Sequence, residues 1–309
     1  MSVLAIDIGG TKFTMALFER AEPKRGQTAG GARGEEDGAG WTVTRRESRA
    51  TDRTGGPEWM TARIAEIAAA WRKESEFERI GVGFGGPVRF ATQKVVLSTH
   101  VGGWEGFDLV EWLRAHFQIP VCMDNDANVG ALGEGLYGAG RGCRPLFYMT
   151  LSTGIGGGIL TEGGVLRGAD SYAGEIGHLT IRPGGPECLC GAFGCFERMC
   201  SGMWLERDNG HPAEVLLRDP AFVRRYVVDL ALGLKSLIFI LNPARVVIGG
   251  GIAKAGDSLF VPLREELGRQ ITAWSKARID VVPAALGDDS VLWGALALAL
   301  AQDSKETEQ

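Results

Sequence analysis

His178, Cys188, Cys190 and Cys195 fall within eighteen positions as H-x9-C-x-C-x4-C, with Gly191 and Gly194 between the thiols. No other stretch restricts the folding of the chain as much. Four soft ligands this close, on a backbone that glycine relieves, suit a tetrahedral zinc site closed to water. Such a metal staples a loop and leaves no open position for chemistry. The alternative is a set of buried free thiols beside an unrelated histidine. Two carboxylates, Glu175 and Glu197, ride on the same segment. Glu175 precedes His178 by three, so within one helical turn the two share a face. The expectation is a loop, residues 178–195, folded by structural zinc so that its carboxylates point at a ligand.

The remaining composition narrows the class. With 309 residues there is room for two domains. A hydrophobic content of 45% with 23% charged residues describes a globular chain. Its net charge of −5 argues against nucleic acid as the main partner, because neutralising phosphates takes a basic surface. No apolar run reaches membrane-span length, and the longest, near Val291–Ala301, reads as a core helix. Asp7 and Lys12 interrupt what would be the apolar core of an export signal. Six cysteines, three of them in the metal-like cluster, fit a reducing cytoplasm better than a disulfide framework. Cys122, Cys143 and Cys200 read as plain thiols.

A pattern of strand, glycine turn and returning strand occurs twice. Ser2–Ile8 is an apolar strand that runs into Gly9-Gly10-Thr11-Lys12 and resumes at Phe13–Phe18. The backbone N–H groups and hydroxyl of such a turn suit phosphate oxygens, and Asp7 is placed to hold magnesium through water. A bare β-turn would read the same way, and Lys12 is either a phosphate contact or a solvated lysine. The second instance is the strand Leu146–Ser152 followed by Thr153-Gly154-Ile155-Gly156-Gly157-Gly158 and a further strand. Duplication at this scale predicts two related α/β halves facing one nucleotide. A P-loop is excluded, since GxxxxGK[ST] is absent.

The other elements fall between these turns. Residues 21–40 hold six glycines and seven charges and no large apolar side chain, so they read as a disordered excursion from a hairpin. Pro57–Ser75 is a predicted helix, and Ile80–Phe84 a strand ending in Gly85-Gly86-Pro87, where backbone can approach a ligand. A helix capped by Asp108 follows, then the strand Ile119–Met123. That strand delivers Asp124-Asn125-Asp126-Ala127-Asn128 at its carboxyl end, where α/β proteins place ligands. Asp124 and Asn128 read as caps of the helix Val129–Tyr137. Val223–Leu241 is a long apolar helix leading to the strand Arg245–Ile248 and Gly249-Gly250-Gly251. Here Gly250 and Gly251 let the adenosine side of a nucleotide approach, or make only a tight turn. Ser290–Ala301 is a buried last helix, and Asp303–Gln309 a polar tail.

Taken together, GEIGH at 174–178, CxCGxxGCxE at 188–197, NDAN at 125–128 and DIGGTK at 7–12 resemble the ROK family of sugar kinases and repressors over nearly the whole chain. The resemblance implies an α/β, two-lobed actin-like (ribonuclease H-like) ATPase fold, with a zinc-stapled loop. The lobes are expected at 1–118 and 119–309, the C-terminal helix packing back near the first. It implies an ATP-dependent kinase of a hexose hydroxyl, O6 of glucose first, with Mg2+ accompanying ATP. Asp126 is implied as the catalytic base. Gly86, Asn125, Asp126, Gly154, Glu175, His178 and Glu197 are implied as sugar contacts. Asp7, Gly9, Gly10, Thr11, Lys12, Thr153, Gly154, Gly156, Gly250 and Gly251 would serve ATP, and His178, Cys188, Cys190 and Cys195 the zinc. A homodimer is also implied. His100 stands where many ROK glucokinases carry Asn, which leaves mannose or another hexose, N-acetylmannosamine or N-acetylglucosamine as alternative substrates. A repressor is disfavoured because only six residues precede Asp7. A silent sugar sensor is disfavoured because Asp126 and both sets of glycines are present.

Overall fold

The computed structural model describes residues 1–21, 40–98, 101–272, 277 and 280–301. Most of the excursion at 21–40, His100 and the polar tail lie outside them. The chain divides into two compact units, Met1–Gly133 with Val291–Gln309, and Glu134–Ser290.

The first unit is built on a five-stranded sheet. In chain order its elements are β1 (Ser2–Ile8), β2 (Lys12–Arg20), β3 (Trp41–Ala50), α1 (Gly56–Arg72), β4 (Arg79–Phe84), the short ribbon β5 (Val88–Arg89) and β6 (Lys94–Val95), α2 (Leu109–Phe117) and β7 (Val121–Asn125). The sheet order is β3-β2-β1-β4-β7. β1 and β3 lie antiparallel to β2, whereas β4 and β7 extend the sheet in parallel with β1. Alternate residues of β1 explain its continuous apolar run, since both faces of the strand are covered. Leu4, Ile6 and Ile8 pack with Met60, Ile64 and Ile67 of α1 and Leu113 of α2. The other face admits a helix at very close range. A Cβ on Gly81 would lie 1.9 Å from the Ala295 carbonyl oxygen, so only hydrogen fits there.

The expected division after residue 118 is corrected. β7 hydrogen-bonds in parallel to β4, Ile80 opposite Val121 through Phe84 opposite Asn125, so the first sheet takes up this strand. α3 (Asp126–Leu136) then carries the chain from one unit into the next.

The second unit repeats the plan. Its elements are β8 (Leu146–Leu151), β9 (Ile155–Thr161), β10 (Gly164–Val165), α4 (Phe196–Cys200), α5 (Gly202–Asn209), α6 (Ala213–Leu216), α7 (Pro220–Leu241), β11 (Arg245–Gly249), α8 (Asp257–Gln270) and β12 (Val281–Pro283). The last helix, α9 (Ser290–Leu300), belongs from Val291 onward to the first unit. The order of the second sheet is β10-β9-β8-β11-β12, with β8 and β10 antiparallel to β9 and with β11 and β12 parallel to β8 and β11. Position by position, this is the first sheet again, so the duplication read from the glycine turns extends to whole sheets. The core joins Phe147 and Met149 of β8 to Leu230 and Leu234 of α7 and Leu263 of α8. Among the described residues no helix is long and apolar enough to cross a membrane.

Candidate active site

In the first unit the candidate residues gather at the carboxyl end of the sheet. The Gly9 N–H donates to the Lys12 carbonyl (3.0 Å) and closes the turn between β1 and β2. The N–H groups of Gly10 and Thr11 donate to no group among the described residues. Asp7, half-buried, sits just before this turn, in register with Thr14 and Gly83. At the end of β7, Asp126 opens α3 and its Oδ1 accepts the Ala127 N–H (2.8 Å). A Cβ on Gly85 would lie 3.5 Å from Gly9 Cα and 3.7 Å from Asp126 Oδ2, so the glycine turn, the β4 exit and this carboxylate adjoin. A helix N-terminus favours the ionised carboxylate.

The neighbours of Asp126 divide their roles differently from the sequence expectation. Asp124 is fully buried and accepts the Asn125 N–H (2.8 Å) and Asn128 Nδ2 (3.1 Å). The capping falls instead to Asn125, whose Oδ1 accepts the amides of Ala127 (3.0 Å) and Asn128 (3.3 Å). Its Nδ2 donates to the Gly86 carbonyl (3.1 Å), which ties two of the expected sugar contacts together.

In the second unit the turn between β8 and β9 is closed by the Ser152 N–H on the Gly154 carbonyl (3.0 Å). Glu197 reaches it from α4, its Oε2 accepting the Ile155 N–H (2.8 Å). A Cβ on Gly154 would lie 2.7 Å from that oxygen, so glycine makes room for the carboxylate. Gly156 follows in β9, opposite Thr150. Burial pushes the Glu175 carboxyl up, the charge of Glu197 adds to this and His178 opposes it. Glu175 thus shares its surroundings with both Glu197 and His178. Gly250, at φ +90°, brings the turn after β11 against Leu151, where a Cβ would lie 2.5 Å from the carbonyl oxygen. Beside it a cavity of about 100 Å³ is lined by Gly249, Gly250, Lys254, Pro283 and Asp288 among others, with Lys254 paired to Asp288 at 2.9 Å.

Sequence reasoning missed the start of α5. The Gly202 N–H donates to the Ser152 carbonyl (2.7 Å) and the Met203 N–H to that of Thr153 (3.2 Å), which seats the second turn on a helix end. The signal was Ser201-Gly202, a serine at the helix N-cap with glycine after it.

The ligand atoms of His178, Cys188, Cys190 and Cys195 all lie within 4.8 Å of one another. Cys190 Sγ and Cys195 Sγ are 3.6 Å apart. That is close to the ~3.8 Å edge of a tetrahedron with ~2.3 Å metal–sulfur bonds. Backbone bonds fold the loop without help from the thiols, Cys188 N–H to Ala192 O (2.8 Å) and Gly191 N–H to Cys188 O (2.9 Å). Burial, with the Cys190 and Cys188 thiols alongside, pushes the Cys195 thiol up to about 12. Three thiols so crowded ionise together only around a cation, so this donor set fits a soft divalent metal.

The ROK family's sequence model matches residues 3–302 of the chain. The glucokinase of Thermotoga maritima is 31% identical, over 96% of this chain and 97% of its own length. The crystal structure of the ROK hexokinase from Thermus thermophilus superposes with a TM-score of 0.80 at 31% identity, covering 99% of this chain and all of that one. A ROK family glucokinase from Streptomyces griseus, solved with glucose and AMPPNP, also reaches a TM-score of 0.80, at 26% identity over 97% of this chain and all of that one.

Proposed function

The chain belongs to the ROK family and is a sugar kinase of the actin-like ATPase fold, and we propose that it transfers the γ-phosphoryl group of ATP to O6 of glucose. The observation that carries the chemistry is Asp126. It stands at the end of a parallel strand, on the first residue of a helix, beside the glycine turn whose Gly10 and Thr11 amides are unspent among the described residues.

A sugar hydroxyl is too weak an acid to attack unaided. Asp126 accepts its proton as the sugar oxygen bonds to phosphorus and the bond from phosphorus to the leaving ADP oxygen breaks. The N–H groups of the turn at Gly9–Lys12 and of the turn at Thr153–Gly156 take the phosphate oxygens. Asp7, with its carboxylate at the end of β1, would hold magnesium through water, and that ion supplies charge neutralisation on the phosphates. Gly250 and Gly251 admit the adenosine. Sugar hydroxyls go to Gly86, Asn125, Asp126, Gly154, Glu175, His178 and Glu197. Carboxylates suit this because each oxygen accepts one or two donors. His178 would bind zinc through one ring nitrogen and keep the other for a hydroxyl. Zinc on His178, Cys188, Cys190 and Cys195 serves to hold the segment that carries Glu175 and Glu197.

The test is ADP release from Mg-ATP across glucose, mannose, fructose, allose, N-acetylglucosamine and N-acetylmannosamine, with product identified by mass and NMR. Glucose 6-phosphate is the expected product, and preference for an N-acylhexosamine would replace glucose in the proposal. Asp126→Asn should lower turnover by about two to four orders of magnitude with sugar binding kept. Retention of more than a tenth of the rate would remove Asp126 from the role of base.

A further inference from the structure

The segment that leaves β3 folds onto the first glycine turn. The Thr51 N–H donates to the Thr11 carbonyl (2.9 Å) and its Oγ1 donates to the Gly9 carbonyl (2.8 Å). Two residues further, Arg53 Nε donates to the Gly10 carbonyl (3.1 Å) and Nη2 to Thr11 Oγ1 (3.4 Å). The intervening Asp52 is occupied elsewhere. Its Oδ1 accepts the Thr54 N–H (2.9 Å), the Thr54 hydroxyl (2.7 Å) and the Gly55 N–H (3.2 Å). Those bonds fix the loop on both sides of Arg53. Among the described residues, no carboxylate lies within the 4.0 Å ion-pair distance of the Arg53 guanidinium.

A guanidinium carries five N–H donors and is always charged, so three of Arg53's donors remain after these two bonds. Among the described residues, a permanent cation without a counter-charge therefore sits on a turn with two unspent backbone N–H groups. That combination recognises a polyanion of tetrahedral oxyanions. We propose that Arg53 is a phosphate-binding residue that contacts the β- or γ-phosphate of the nucleotide held on the Gly9–Lys12 turn. The proposal rests on the reading of that turn as the ATP phosphate site. It differs from a strut, which would need only the hydrogen bonds to Gly10 and Thr11 and no charge.

Four proteins separate these roles: the unchanged chain, Arg53→Lys, Arg53→Gln and Arg53→Met. Each is titrated by calorimetry with Mg-ATP and, separately, with AMP, and its thermal unfolding is recorded. Arg53→Gln keeps amide donors for the turn and loses the charge. The expected result is ATP affinity lowered about ten- to hundredfold in Arg53→Gln and Arg53→Met. Arg53→Lys should retain most of the affinity, and AMP affinity and unfolding midpoint should not move. Arg53→Gln binding ATP like the unchanged chain would overturn the proposal. So would a parallel fall for ATP and AMP, which would make Arg53 a strut. Failure of the unchanged chain to phosphorylate any hexose would sink the kinase reading alone, since the ATP titration reports on Arg53 without turnover.

Discussion

Glu134 offers a stability test whose size follows from the structure. It is fully buried in α3 and takes four hydrogen bonds from three places in the chain. Oε2 accepts the N–H groups of Ala139 (2.8 Å) and Ala285 (3.1 Å). Oε1 accepts the Leu286 N–H (2.9 Å) and the Ser290 hydroxyl (2.7 Å). The chain passes between its two units at Gly133–Glu134 and Ser290–Val291, so the last bond joins the two passages. In Glu134→Gln the better amide orientation puts nitrogen in the place of Oε1. Ser290 can then accept from it and turn its own proton to the Gly287 carbonyl, 3.0 Å away. Leu286 is left with a buried N–H facing a donor, which costs about 1–3 kcal/mol. The two bonds kept by the oxygen lose their charge assistance, roughly 0.5–1.5 kcal/mol each. Relief from burying a charge offsets part of this, so the expected loss is about 2–4 kcal/mol. Urea unfolding followed by far-UV circular dichroism measures it. Ser290→Ala removes one of the four bonds and should cost about 1 kcal/mol. A loss below about 0.5 kcal/mol in Glu134→Gln would refute the reasoning, because it would mean that the four donors find other acceptors.

Two further perturbations address the second unit. Gly154→Ala places a methyl group 2.7 Å from Glu197 Oε2 and should push that carboxylate off the Ile155 amide, raising the sugar KM about tenfold or more. An unchanged KM would show that Glu197 does not need its present position. Removing the metal with a chelator, or Cys190→Ser, should lower the unfolding midpoint and weaken sugar binding together, while elemental analysis of the untreated protein should give about one zinc per chain. Absence of any metal in protein purified without chelators would return the four residues to plain thiols and an unrelated histidine.

What could be read from sequence was whatever carries its own local signature. The metal-like cluster depends on spacing within one loop, and the two glycine turns on residues that sit together in the chain, so both appear where expected. β3 left no such mark. Its residues, WTVTRRESRA, alternate apolar with polar only at the start, because as an edge strand it carries arginines that pair with Glu74, Glu47 and Glu66. Pairing with β2 decides its conformation, and that is a long-range fact. The unit boundary was misplaced for the same reason: a short apolar strand at Val121–Asn125 does not say which sheet it joins, and only its register with β4 assigns it. The Thr51–Arg53 clasp joins residues some forty positions apart, and a lone arginine after a threonine carries no pattern. Asn125 shows the opposite limit. The resemblance implies a sugar contact at this position, yet the Asn125 carboxamide already caps α3 and holds Gly86. Nδ2 has one hydrogen left for a ligand, so replacing Asn125 must loosen the Asp126 helix end as well as the sugar. A substitution there therefore reports on both, and only Asp126 itself isolates the chemistry.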